Sequence, residues 1–236
     1  MAQSKFAKDL SRLLTRLEPL TNPTVMRELK KLRKILVRLH KRRLVKINHS
    51  VIELLCARHL LEQDYQVAVE HVLSSGNLIA DIFAVKLQLP NPPSATELDV
   101  EGGLEGDTIV VEIETGFVPP DAALLPEQYR QARISAKIAR YSGHARRFIL
   151  ATPSSHVLQV PQVLLRPPPA RAPKEIRQLK KQCDYYYSSP PISFEALASV
   201  EIDVIYIVQV DRGIVIEIPP HRYLDTIMRA RGILEA

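Results

Sequence analysis

Residues 108–117, TIVVEIETGF, set two glutamates, Glu112 and Glu114, into an apolar run rich in β-branched residues. Such a run favours a strand, and alternate strand residues share one face. The spacing therefore points both carboxylates the same way, roughly 7 Å apart. Two like charges in apolar surroundings repel, and each is costly without a partner. A compensating charge is required nearby: a basic side chain, a proton or a metal ion. The interruption recurs elsewhere. Asp81 lies inside LIADIFAV, another strand pattern, and Glu53 sits between Ile52 and Leu54 in a helical stretch. Oxygen donors of this kind suit Mg2+ or Mn2+.

Around these acids the hydrophobic periodicity predicts helices over 3–19, 23–46 and 49–63. Strands over 66–73 and 78–89 form a hairpin about a turn at 74–77. An acidic, Pro- and Gly-rich loop, 90–107, leads to the third strand; a helix over 124–142 and a strand over 146–153 follow. Residues 156–166 read as a helix broken at Pro161, 174–182 as a short basic helix, and CDYYYSSPP (183–191) as irregular. Two strands, 201–210 and 214–220, precede a final helix over 223–234. This order predicts an α/β fold, a mixed central β-sheet flanked by helices. The division is a basic α-helical N-terminal arm, 1–47, and a domain over 48–236.

Charge is unevenly placed. The net charge is +6, yet residues 1–50 carry 14 Lys and Arg against 3 acids, and the remainder 18 against 23. The second helix concentrates Lys30, Lys31, Arg33, Lys34, Arg38, Lys41, Arg42 and Arg43 around an apolar seam of Met26, Leu29, Leu32, Leu36 and Leu39. A solvated helix usually mixes signs, so this one is expected to bind nucleic-acid phosphates without reading sequence. A helical hairpin packed on the body, or a dimerisation arm, is the plainer alternative. No apolar run approaches the ~20 residues of a membrane span, and the N-terminus lacks the continuous apolar stretch of a secretory signal. Only Cys56 and Cys183 occur, with no CxxC pair, which argues against a disulfide framework or a structural zinc site. A cytoplasmic protein, associated with the nucleoid through DNA, is expected. Eight Gly against 18 Pro point to a thermophile.

The order Glu53, Asp81, Glu112-Ile113-Glu114 resembles the PD-(D/E)XK nuclease superfamily, which includes archaeal Holliday-junction resolvases and many restriction endonucleases. The resemblance covers about 48–153 and extends to the strands in VIYIVQVDRGIVIEI. It implies a restriction-endonuclease-like core, phosphodiester hydrolysis on DNA (RNA is the other open substrate), Mg2+ or Mn2+ as cofactor, and a homodimer. Asp81 is then the metal-bridging aspartate, and Glu112 the first acid of the third-strand motif, with the Ile113 carbonyl as a further ligand. Glu53 is then the helical glutamate that holds the metal through water. The metal would polarise the scissile phosphate and activate a water. Glu114, expected to help Glu53, Asp81 and Glu112 hold metal and water, departs from the pattern, which most often has lysine there. Tyr129, Arg133, Lys137 and Tyr141 recur every four residues on the following helix. Lys137 is placed to supply the missing cation, and Arg133 to grip a phosphate. The departure also raises two rivals: a catalytically inactive nucleic-acid-binding protein of the same fold, and a protein-interaction scaffold.

Other features carry less. His59, His71, His144 and His156 lack metal-ligand spacing, although Glu70 and His71 lie on a strand beside the proposed site. Tyr185–Tyr187 would either stack on unpaired bases or pack on the body. The Ser154-Ser155-His156 run has no accompanying acid. The absence of a phosphate-cradling Gly-rich loop argues against a nucleotide cofactor.

Overall fold

The computed structural model describes residues 4–45, 47–73, 78–87 and 106–230. The turn at 74–77, most of the acidic loop over 90–107 and the chain beyond 230 lie outside them. Helices α1 (Lys5–Leu17), α2 (Pro23–Lys41) and α3 (Ile47–Leu61) lead into strands β1 (Gln66–Val72), β2 (Ile79–Leu87) and β3 (Gly106–Ile113). Then come α4 (Pro126–Tyr141), β4 (Arg147–Pro153), α5 (Gln162–Leu165), α6 (Pro173–Tyr186) and α7 (Phe194–Ser199). Strands β5 (Val204–Gln209) and β6 (Ile214–Ile218) and helix α8 (Pro220–Ala230) complete the chain.

The strands form one mixed sheet in chain order. Strand β2 runs antiparallel to both β1 and β3, strands β3, β4 and β5 run parallel, and β6 returns antiparallel to β5. The predicted mixed sheet with flanking helices is therefore present. Strand alternation sorts its side chains onto two faces. Ile109, Val111, Ile149, Tyr206 and Val208 pack against α1, α2 and α3. Val110, Phe148, Leu150 and Ile205 meet α4 to α8 on the other face.

The N-terminal helices share the first of these cores. Phe6, Leu10, Leu17, Met26, Leu29 and Leu36 join one cluster with α3 and the sheet. Both α1 and α2 have a side-chain cap, that of α2 as TNP foretells: Asn22 Oδ1 accepts from Val25 N–H at 2.8 Å, with Pro23 in the first turn. Ser4 does the same for Ala7 N–H. Arg16 donates to Val210 O (2.5 Å), and Gly213, at φ 68°, turns β5 into β6 directly under Leu17. Leu29 is fully buried, so Leu29→Ala is expected to destabilise the whole protein by about 2–5 kcal/mol. A single, lowered urea transition would show that the arm and sheet unfold together. Loss of the arm's helicity alone, with an unchanged main transition, would show an independent appendage.

Three local expectations are corrected. Residues 156–166 contain only the four-residue α5, because Pro161 and the Pro-rich connector that follows leave no room for a longer helix. Helix α6 runs on to Tyr186, since Ile176, Leu179 and Cys183 continue its buried stripe through the stretch read as irregular. Helix α7, capped by Ser193, was not foreseen. Among the described residues, no helix is long and apolar enough to cross a membrane.

Candidate functional site

Strands β2 and β3 stop pairing at Asp81 and Glu112. The β2–β3 register begins at Ile82↔Val111, and the β1–β2 register omits the position between Val69↔Ile82 and His71↔Ala80. Opposite that omission Glu70 takes a φ of 48°, a left-handed conformation uncommon for a non-glycine residue. Side chains replace the missing ladder. The Asp81 N–H donates to Glu112 Oε1 (3.1 Å), and the Ile113 N–H donates to Asp81 Oδ2 (2.7 Å). Each acid thus satisfies backbone of the other's strand, as a buried polar group must.

Lys137 reaches this junction from α4. Its ammonium lies 2.9 Å from Glu112 Oε2 and 3.3 Å from Asp81 Oδ2, and donates to the Ile113 carbonyl at 2.5 Å. Glu114, one residue beyond β3, accepts from Arg133 Nε (2.8 Å) and from the Gly116 N–H (2.9 Å). Gly116 has a φ of 81°, and a Cβ there would fall 2.3 Å from the His156 ring. Glycine is required for both reasons. The other two members of the α4 stripe also face the site. Tyr129 stands one turn before Arg133 on α4, and the Tyr141 hydroxyl donates to Ile79 O at 3.2 Å.

On the far side of Asp81 stands His49, which the sequence reading passed over. Its Nδ1 lies 3.3 Å from Asp81 Oδ1. His49 and Glu53 are one helical turn apart on α3, and their donor atoms and that of Asp81 all lie within 4.8 Å of one another. The i, i+4 spacing in HSVIE was the available signal.

The electrostatics follow from depth. Glu53, Asp81, Glu112 and Glu114 are 0, 3, 1 and 1 % exposed. Burial pushes the Glu112 carboxyl up to about 7; Lys137 opposes the rise and Asp81 adds to it. Burial also works to raise Glu114, but Arg133, Lys137 and the Gly116 N–H hold it below the usual range. Burial disfavours the Lys137 ammonium, yet Asp81, Glu112 and Glu114 outweigh it and raise its pKa. With all four carboxylates ionised, Lys137 and Arg133 leave a formal charge of −2, His49 aside. A divalent cation fits that deficit.

The donor set fits the same class of ion. Asp81 Oδ2, Glu112 Oε2 and the Ile113 carbonyl converge on one point, and hard oxygens suit Mg2+ or Mn2+. The ammonium of Lys137 is held by those three oxygens. His49, Glu53 and Asp81 offer a second, mixed nitrogen–oxygen set, of a kind that Mn2+ accepts.

The basic residues of α2 and of the two positions after it divide. Arg33 donates to Ala7 O (2.9 Å) and Ser11 Oγ (2.5 Å), clipping α2 to α1. Lys30 pairs with Glu18 and Lys31 with Glu28. Lys34, Arg38, Lys41, Arg42 and Arg43 are exposed, as is Arg27. Arg27, Lys30, Lys31 and Lys34 line a groove of about 480 Å³ beside Glu18 and Thr21. His71 stacks on Phe83 at 4.8 Å.

In comparisons with known proteins, no family model, no curated protein and no solved structure matches the chain.

Proposed function

We propose that the protein is a metal-dependent nuclease that hydrolyses phosphodiester bonds in DNA. One observation carries this reading: Asp81, Glu112 and the Ile113 carbonyl converge with Lys137 where the sheet opens, among buried carboxylates that outnumber their basic partners. Asp81, with Glu53 and His49 on one side and Glu112 on the other, would hold Mg2+ or Mn2+. The bound ion would polarise the phosphate and lower the pKa of an attacking water.

The protein's own groups do the rest. Lys137 brings from α4 the cation that the resemblance places at position 114, and it stands within hydrogen-bond reach of both acids. From there it would orient the water and neutralise charge developing on the phosphate. Glu114 fixes Arg133 beside the site, and the Arg133 guanidinium is suited to a phosphate oxygen. The exposed cations of α2 would hold the backbone away from the cut.

A second reading has its own observation. Lys137 already fills the oxygen cradle and is itself only 11 % exposed, which favours a nucleic-acid-binding protein without chemistry. A labelled panel of duplex, single-strand, flap and four-way-junction DNA, incubated with Mg2+, Mn2+ or EDTA, separates the two. Cutting that needs the metal is the expected result. Binding without cutting under every condition would establish the silent protein instead.

A further inference from the structure

Helix α6 presents a face that the proposed chemistry leaves unused. Ile176, Leu179 and Cys183 face the core. The opposite face exposes Lys174, Arg177, Lys181 and Tyr185, at steps of three, four and four residues. That spacing is one stripe, about 16 Å long at the helical rise. The acids of the helix are engaged elsewhere: Glu175 with Arg166 at 2.6 Å and Asp184 with Lys180 at 2.7 Å. Among the described residues, Lys174, Arg177 and Lys181 have no ion pair.

The stripe ends in an aromatic cluster. Tyr185 is 79 % exposed. Its ring stands edge-on to Tyr186 at 4.7 Å, and Tyr186 meets Tyr129 at 5.5 Å. Tyr187 lies 6.2 Å from Tyr129, beneath Arg140. Tyr129 stands one helical turn before Arg133 on α4, and Arg133 holds Glu114. Ring contacts therefore lead from the exposed Tyr185 to α4, the helix that carries Arg133 and Lys137.

From this arrangement we infer that α6 is a track for single-stranded nucleic acid, with phosphates along Lys174, Arg177 and Lys181 and an unpaired base stacked on Tyr185. A line of unpaired cations suits a polyanion. An exposed ring face recognises a base only when that base is free of its own helix, which selects single strands over duplex. As a substrate preference the track rests on the nuclease reading, because it would deliver an unpaired strand to that site. As a binding surface it stands alone.

The experiment is fluorescence anisotropy on the full chain in EDTA, with labelled oligo-dT, oligo-U and a mixed-sequence duplex. Wild type is expected to prefer the single strands. Tyr185→Ala should weaken oligo-dT or oligo-U about tenfold and leave the duplex unchanged, the tighter oligonucleotide naming the sugar. The triple variant Lys174→Glu, Arg177→Glu, Lys181→Glu should flatten the salt dependence of single-strand binding by a slope of about 2. Every substitution is on an exposed face, and a thermal melt checks folding. Unchanged oligonucleotide affinity in Tyr185→Ala, equal wild-type affinity for duplex, or no single-strand binding would each overturn the track. Cutting of duplex without single-strand binding would overturn it and keep the nuclease. Single-strand binding by this face without metal-dependent cutting would do the reverse.

Discussion

Lys137→Met is expected to destabilise the protein by about 3–5 kcal/mol, the usual cost of removing one partner from a buried charge pair. The methionine fills a similar volume, so the loss reports charge rather than a cavity. It strips the counter-ion from Asp81 and Glu112 and a donor from the Ile113 carbonyl. Denaturant unfolding in EDTA would read it as a lower midpoint at constant slope. Two further arms make the cause visible. Lys137→Met with Glu112→Gln should recover part of the loss, because one unpaired charge is gone. Saturating Mn2+ should also stabilise the single variant, by about 2.7 kcal/mol at a hundredfold excess over its dissociation constant. A loss below about 1 kcal/mol would mean that the ammonium does not hold these acids together.

Asp81→Asn should reduce metal-dependent cleavage by about a hundredfold to a thousandfold or more, the scale of losing one preorganised electrostatic group. The fold should tolerate it. The amide oxygen can still accept from the Ile113 N–H and Lys137, and the amide nitrogen can donate to His49 Nδ1. Calorimetric titration with Mn2+ should show weakened binding, since Asp81 belongs to both donor sets. Cleavage at the wild-type rate would remove Asp81 from the chemistry and the nuclease reading with it.

The acids of the site were legible because each breaks a pattern. Glu53, Asp81 and Glu112 interrupt apolar stretches, and all three are buried, whereas Glu217, which interrupts IVIEI in the same way, is exposed. The α4 stripe was legible because four-residue spacing has one geometric meaning; Arg133 and Lys137 stand on it and meet Glu114 and Glu112. His49 escaped because a histidine near a helix start has many plainer uses. The shared direction expected of Glu112 and Glu114 holds only in part. Both are buried, but Lys137 draws one and Arg133 the other. The exchange of backbone partners between Asp81 and Glu112 is tertiary, and no local period encodes it. The seam of α2 was visible from Leu29 and Leu36, whereas what covers it was not. Arg33 shows the same limit: its composition signals an anion site, but its position turns it onto Ser11.

Because Leu29, Leu36 and the sheet belong to one core, the exposed cations of α2 are not a flexible tail. From Arg27 to Lys41 they span about 21 Å of helix, bolted to the same body that carries Asp81. Anything gripped along that span is held at a set distance and angle from the carboxylates. The molecule then behaves as a ruler rather than a tether: lengthening the arm would change the mark it measures, not merely the reach with which it searches.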